Sequence, residues 1–419
     1  MNVGKVPCFA VGENTRDIFK GAYTYTEGGK TIIHGFSGQI MLLDSACMES
    51  IHNKRMSHGL LRKLKSRGFI YSRASERNDF ECGSKENAHI CPEFFMIDIT
   101  SKCNLSCQYC LRDINAGAKS ISEDILQAIC QYITCYCEKR RPKNVSIQFW
   151  GGEPLLYIDL ILKAVSWIRP SATKIHYSVE TNGVLLTPEM QELLFSHKIG
   201  VGVSIDGFRS LQDAQRRFKG GLSSFSVIDE NLRSALKIYG DGLGTITTIT
   251  RNNMDAVEDI IDYLACDLGI RNVKFNFVHA SRFRDCSNLI LTDWEAAETE
   301  LRILHKIVEL NKKGNSVSDY NIKVKLKNLL FLHYSDICIS RGCHGGYRMI
   351  VFGMDGNYYP CELTDIPMYR IGSIFDDIDF IDSIERSLTI NKYFSAVDTS
   401  GCNDCEWFVY CRGGCTVKA

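Results

Sequence analysis

Apolar residues along this chain follow more than one rhythm. Between residue 94 and about residue 314, short runs rich in β-branched and aromatic side chains alternate with stretches of helical spacing. The runs FFMIDIT (94–100), NVSIQFW (144–150), KIHYSVE (174–180), GVGVSID (200–206), GTITTIT (244–250) and NVKFNFV (272–278) predict strands. SEDILQAICQYITCYCEKR and MDAVEDIIDYLACDL lie between them and predict helices. Six strand–helix units imply an α/β fold with a parallel sheet and right-handed crossovers, curled into a partial (β/α)6 TIM barrel. Active sites of such barrels lie at the C-terminal ends of the strands.

The flanks read differently. In residues 1–90, CFAVGE, TIIHGF and GQIMLLD predict strands, and MSHGLLRKLKSRGFI, with Leu60, Leu61 and Leu64 ahead of a glycine, predicts a short helix. This is a small winged-helix-like module, followed by a polar linker, SRASERNDFECGSKENAHICPE (72–93). From 338 onward cysteines and turn signals such as MDGNYYP dominate, so little regular core is expected there and bound metal would supply much of the order. The division expected is a module at 1–90, a barrel at 91–314 and a C-terminal cysteine-rich domain at 315–419.

A length of 419 residues supports two or three such domains. With 49 basic and 49 acidic residues the formal net charge is zero, which argues against a dedicated nucleic-acid binder. The short run RKLKSR reads as a solvated helix face. No apolar run reaches the roughly 18–20 residues that cross a bilayer, and the first residues lack a signal-peptide pattern. The expected address is the cytoplasm, with no membrane partner. In a reducing compartment, 19 cysteines point to metal or redox chemistry. Three fall at 103–110 and seven between Cys338 and Cys415. Cys8, Cys47, Cys82, Cys91, Cys130, Cys135, Cys137, Cys266 and Cys286 show no ligand spacing and read as core or surface thiols.

The loop TSKCNLSCQYC (100–110) places Cys103, Cys107 and Cys110 in a C-x3-C-x2-C spacing directly after the first strand. Structural zinc wants four closed ligands, and no nearby cysteine or histidine supplies the fourth. An iron–sulfur cubane is the better match, since thiolates hold its irons. Three thiolates leave one iron open, and an open metal position usually receives a substrate or cofactor. A zinc knuckle is the other reading of these residues.

With Tyr109 as the aromatic before the last cysteine, this loop resembles the signature of the radical SAM enzymes. The resemblance implies a [4Fe–4S] cluster on Cys103, Cys107 and Cys110, with S-adenosylmethionine on the open iron through its amino and carboxylate groups. One electron from the cluster would then break a carbon–sulfur bond and yield a 5′-deoxyadenosyl radical. Three further matches follow in barrel order: GGEP (151–154), ETNG (180–183) and VSIDG (203–207). They imply cofactor contacts from Gly151 and Gly152, whose lack of a Cβ allows close backbone approach, with Glu153 as structural support. They imply ribose and amino-acid contacts at Glu180 and Asn182, and polar groups facing the site at Ser204 and Asp206. Arg251, in TITRNN, is either a partner for the cofactor carboxylate or an ordinary loop arginine.

The C-terminal spacing resembles the SPASM extension of radical SAM peptide-modifying enzymes, which implies two auxiliary [4Fe–4S] clusters. By position, Cys338, Cys343, Cys361 and Cys415 would hold the first, and Cys402, Cys405 and Cys411 the second. The family pattern has one more cysteine after its C-x3-C. Seven thiols therefore leave one corner to another ligand, or to a substrate thiolate. A zinc ribbon over 402–415 is the alternative. Glu362 stands where sulfatase-maturing relatives carry a basic aspartate, although a solvated loop glutamate fits that position equally.

The N-terminal module resembles the RiPP recognition element, which adds a precursor's leader peptide as a strand to its sheet edge. Residues 20–45 hold the edge-strand candidates, and a purely structural cap is the other option. Together the resemblances imply a peptide maturase of the sactionine or ranthipeptide type. It would install thioether crosslinks in a precursor peptide with a leader sequence, using a reductant such as flavodoxin or ferredoxin. Formylglycine formation, a carbon–carbon or carbon–oxygen crosslink, and a non-enzymatic iron–sulfur or zinc winged-helix regulator are the alternatives.

Overall fold

All six strands expected between 94 and 278 form, and each is hydrogen-bonded parallel to the next. They span Phe94–Thr100, Asn144–Gly151, Lys174–Thr181, Ile199–Ser204, Gly244–Ile249 and Asn272–Phe277. The structure is a computed structural model, and it describes residues 2–7, 9–10, 17–19, 21–35, 39–72, 91–112, 117, 119–331, 338, 343–364, 367–376, 382–383, 402, 405, 407–411 and 413–415.

Helices Glu123–Arg140, Ile158–Trp167, Pro188–Ser196 and Phe225–Tyr239 make the crossovers. Local chemistry starts them. Ser122 accepts a hydrogen bond from Ile125 N, Thr187 from Met190 N, and Thr292 and Glu295 form a reciprocal capping box on the helix Asp293–Lys312.

Strand register sorts side chains into two faces. One carries Ile97, Ile99, Val145, Ile147, Phe149, Val179, Val201 and Val203, all buried. The opposite face carries Asp98, Gln148, Ser178, Glu180, Ser204, Thr248 and Lys274 at matching registers. A parallel sheet covered by helices on both sides reads as continuous apolar runs. The polar face is therefore the inside of the partial barrel.

The expectation of little regular structure beyond 338 needs correction. Met349–Phe352, buried at all four positions, pairs parallel with the first barrel strand, Met349 opposite Phe94 and Phe352 opposite Ile97. Asn357–Tyr359 and Gly372–Ser373 extend the sheet antiparallel to a total of ten strands. The turn signal MDGNYYP is the hairpin between two of these strands. Gly356 sits there at φ +80°, where a Cβ would stand 2.9 Å from Ile374 and Phe375. The four-residue run MIVF was too short to register as an element by periodicity.

The chain divides into two compact units, Ile90–Lys323 with Gly345–Tyr393, and Met1–His89 with Val324–His344 and Phe394–Ala419. The second holds a four-stranded antiparallel sheet in the order Asn2–Val6, Ala22–Glu27, Lys30–Gly35, Ile40–Asp44, followed by helices Ser45–His52 and His58–Ser66. Phe19, Ile33, Ile51, Leu64 and Phe69 form its core. Most of the expected linker at 72–93, and Cys8 and Cys82, lie outside the described residues. Among the described residues no helix is long and apolar enough to cross a membrane.

Candidate active site at the barrel strand ends

The first barrel strand delivers the chain into the three-cysteine loop. Thr100 Oγ1 accepts from Lys102 N at 3.0 Å and donates to Lys119 O at 2.7 Å, which turns the chain out of the sheet. Leu105–Cys107 then pairs antiparallel with Arg216–Phe218, setting Cys107 opposite Arg216. The sulfurs collect N–H donors. Leu105 N lies 3.4 Å and Asn182 Nδ2 3.6 Å from Cys103 Sγ, Arg112 N lies 3.4 Å from Cys110 Sγ, and Arg216 Nη1 lies 3.9 Å from Cys107 Sγ.

Burial pushes the Cys107 thiol up to about 12, the Arg216 guanidinium opposes the rise, and Cys110 and Cys103 add to it. Cys103 is also raised, first by burial. Thiols raised like Cys103 and Cys107 need a cation to become thiolates, because coordination deprotonates a thiol outright. Among the described residues no three His, Cys, Asp or Glu side chains converge for a single ion. A donor set of thiols alone, decorated with N–H···S bonds, fits an iron–sulfur cluster, whose potential such bonds tune.

A buried clamp fixes this loop. Tyr109 donates its hydroxyl to Asp206 Oδ2 at 2.5 Å, and Arg216 Nε reaches the same oxygen at 2.9 Å. Thr248 N donates to Asp206 Oδ1 at 3.0 Å, and Gln212 Oε1 accepts from Asp206 N at 2.8 Å. The Arg216 guanidinium also lies over the Tyr109 ring at 5.3 Å. From the other side, Ser281 Oγ donates to Cys110 O at 2.8 Å and Arg284 Nη1 to Cys107 O at 2.8 Å.

The GGEP and ETNG loops lock together beneath it. Glu153 is fully buried. Its carboxylate accepts from Leu155 N at 3.1 Å, Thr181 Oγ1 at 2.8 Å and Asn182 N at 2.8 Å. Burial raises its pKa to about 7 against these three donors. Asn182 in turn donates to Asn104 Oδ1 at 2.7 Å, inside the cysteine loop. The two glycines serve the same joint. A Cβ on Gly151, at φ +146°, would stand 2.4 Å from Thr100 O, and one on Gly152 would stand 2.2 Å from Lys102 O. The backbone they admit is that of the cysteine loop.

Farther along the inner face, Glu180 and Lys274 lie within electrostatic reach of Glu362. Burial raises the Glu362 pKa, Glu180 raises it further and Lys274 opposes the rise. Lys274 Nζ also stands 5.7 Å from the Tyr320 ring. Glu362 directly follows buried Cys361 in the barrel unit.

The structure thus gathers Cys103, Cys107, Cys110, Glu153, Asn182 and Asp206 into one network, and sets Glu180 and Ser204 on the inner face beside it. Arg251 is not gathered. Its guanidinium is engaged by Glu295 Oε2 at 3.0 Å, at the cap of the helix Asp293–Lys312. Cys338, Cys343, Cys402, Cys405, Cys411 and Cys415 belong to the other unit, where Cys405 N donates to Cys402 O at 3.1 Å and Cys411 N to Trp407 O at 2.9 Å. Sequence reasoning missed Arg216, Ser281, Arg284 and Lys274. Lys274 had a signal, a charge at an alternate position of a parallel strand. Arg216 opens a three-residue strand too short to show a period, and Ser281 and Arg284 sit in an irregular segment.

Residues 97–264 match the family model of the radical SAM superfamily. That span of the chain is a radical SAM domain, and the protein is an enzyme. The matched span contains the cysteine loop, GGEP, ETNG and the Asp206 clamp. The chain is 25% identical over 334 residues to a cysteine-type anaerobic sulfatase-maturating enzyme of Clostridium novyi (strain NT), covering 75% of this chain and 85% of that one. Its radical SAM fold is similar to that of native anSMEcpe with bound AdoMet, with a TM-score of 0.66 and 22% identity over 77% of this chain and 89% of the other. It is also similar to Streptococcus suis SuiB bound to precursor peptide SuiA, with a TM-score of 0.59 and 14% identity over 94% of each chain.

Proposed function

We propose that this protein is a peptide maturase that joins a cysteine sulfur to a carbon of a ribosomally made precursor. The observation that carries the reading is the pairing of a clamped three-thiol loop with a half-buried Glu362 that lies within electrostatic reach of Glu180 and Lys274 on the polar barrel interior. Cys103, Cys107 and Cys110 would hold a [4Fe–4S] cluster. With S-adenosylmethionine bound beside it, that group supplies one-electron cleavage of an unactivated carbon–hydrogen bond. Glu180 and Ser204 line the face on which the cofactor would lie. Glu362, whose burial raises its proton affinity, would take the proton of the substrate thiol. Cys338, Cys343, Cys361 and Cys415, with Cys402, Cys405 and Cys411, would hold auxiliary clusters that accept the remaining electron.

The N-terminal sheet supports a leader-guided reaction. Asn2–Val6 and Ile40–Asp44 are its edge strands and offer backbone groups to an added peptide strand. The SuiB fold covers more of this chain than the sulfatase-maturase fold does. The test is anaerobic co-expression with a cysteine-bearing precursor. The expected product is a peptide lighter by about two hydrogens per crosslink, with the cofactor carrying the chemistry, together with 5′-deoxyadenosine. Absence of 5′-deoxyadenosine from reduced, reconstituted protein would reject the reading.

The long alignment with a sulfatase maturase favours a second reading, conversion of a substrate cysteine to formylglycine. A sulfatase-derived cysteine peptide that acquires a hydrazide-reactive aldehyde, while the precursor stays unmodified, would establish it instead.

A further inference from the structure

The helix Asp293–Lys312 is apolar on two sides. Thr299, Ile303, Ile307 and Leu310 are buried against the barrel. On the far side Trp294 is 78% exposed, Leu301 56% and Val308 41%. These three are spaced seven residues apart, and Ala297 and Leu304 fall between them in the same stripe. Heptad spacing of this kind marks the seam by which one helix packs on another. An outward barrel helix normally turns charged residues to water, and a surface tryptophan this open marks an association site.

The stripe suits its own reverse. Laid antiparallel at full overlap, two copies set Leu301 of each against Leu304 of the other and Ala297 against Val308. The small Ala297 leaves room for the neighbouring indole. Charge agrees with this direction. The register sets Asp293 of each copy against Lys312 of the other, while Lys313 is paired with Glu309 of its own helix at 2.5 Å. Antiparallel pairing brings opposite signs together at both ends, whereas parallel pairing stacks like on like.

We propose that this helix face is a self-association surface on which a second copy of the chain packs antiparallel about a two-fold axis. One helix face is small among specific interfaces, so the dimer forms at micromolar concentration and dissociates on dilution. A closed two-fold contact stops at two copies.

Sedimentation equilibrium of the reconstituted full chain, anaerobic and over about 1–100 µM, tests this. The expected result is a monomer–dimer equilibrium that Leu301→Glu weakens at least tenfold, with circular dichroism and iron content unchanged. Asp293→Lys should weaken it as well, and adding Lys312→Asp should restore it. A wild type that stays monomeric throughout overturns the proposal, as does a dimer indifferent to Leu301→Glu. Failure of the charge swap to restore association overturns the antiparallel arrangement. Binding of a reductant or precursor to this face in a monomeric protein counts against it too.

Discussion

Asp206 holds Tyr109 at 2.5 Å and Arg216 at 2.9 Å through a single carboxylate oxygen. It thereby ties the fourth barrel strand's end to the cysteine loop from two directions. Removing one member of a buried pair strands the other's charge, at a cost of about 3–5 kcal/mol. Asp206→Asn should lower the thermal unfolding midpoint and reduce the iron bound per chain. Tyr109→Phe, which loses one hydrogen bond and no charge, should cost about 1–3 kcal/mol and retain iron. Equal losses in the two variants would show that the shared oxygen is not the anchor.

The glycines of GGEP give a sterically sharper case. Gly152→Ala puts a methyl carbon 2.2 Å from Lys102 O, a backbone atom that cannot rotate away. Overpacking of this sort typically costs about 1–3 kcal/mol or more, and here it displaces the start of the cysteine loop. The expected outcome is loss of the cluster's absorbance after reconstitution. Gly183→Ala crowds only side chains, Val203 and Ile228 at 2.8 and 3.2 Å, and strains a backbone at φ +80°; it should lower stability yet retain more of the cluster's absorbance than Gly152→Ala.

Glu153 predicts a pH dependence of stability. Its carboxyl is raised by burial to about 7 in the folded protein, against about 4.3 in an unfolded chain. A raised pKa stabilises the fold while the group is protonated. That contribution is complete below about 4.3 and is lost as pH climbs through 7. It amounts to on the order of 4 kcal/mol, since each unit is worth about 1.4 kcal/mol. The unfolding free energy should therefore fall between pH 5 and 7.5, and Glu153→Gln should flatten that slope. A slope unchanged in the variant would assign the titration to other groups.

Glu362 and Arg251 should behave oppositely. Glu362→Gln keeps the shape and removes the proposed base. Peptide modification should drop by about 10²–10⁴ while 5′-deoxyadenosine is still released. Arg251→Ala breaks a half-exposed pair with Glu295, the kind worth within about 1 kcal/mol. Cofactor affinity, measured by equilibrium binding, should not change. A large loss of affinity in Arg251→Ala would return that residue to the site.

The sequence carried the barrel because six strands announced themselves by β-branched and aromatic content, and three cysteines in eight residues need no fold to be noticed. It did not carry the roles. Glu153, Asn182 and Asp206 were visible as motif residues, yet only their coordinates reveal that they grip the cysteine loop from below and behind. Arg216 is one of two arginines in RRF, and nothing local distinguishes it from its solvent-facing neighbour Arg217. Lys274 could have been found, since a charge inside a parallel strand demands a polar interior. Met349–Phe352 could not, because pairing across some 250 residues leaves no periodic trace in four.

That late strand has a practical consequence. It covers the flank of Phe94 to Ile97, the first half of the strand that feeds the cysteine loop. Cutting the protein after the sixth barrel unit to isolate a minimal catalytic piece would leave the four apolar residues Phe94 to Ile97 with an open strand edge, an invitation to intermolecular stacking. The shortest well-behaved catalytic fragment should therefore extend at least through Tyr359, so that the radical-generating end of the barrel keeps its lateral seal.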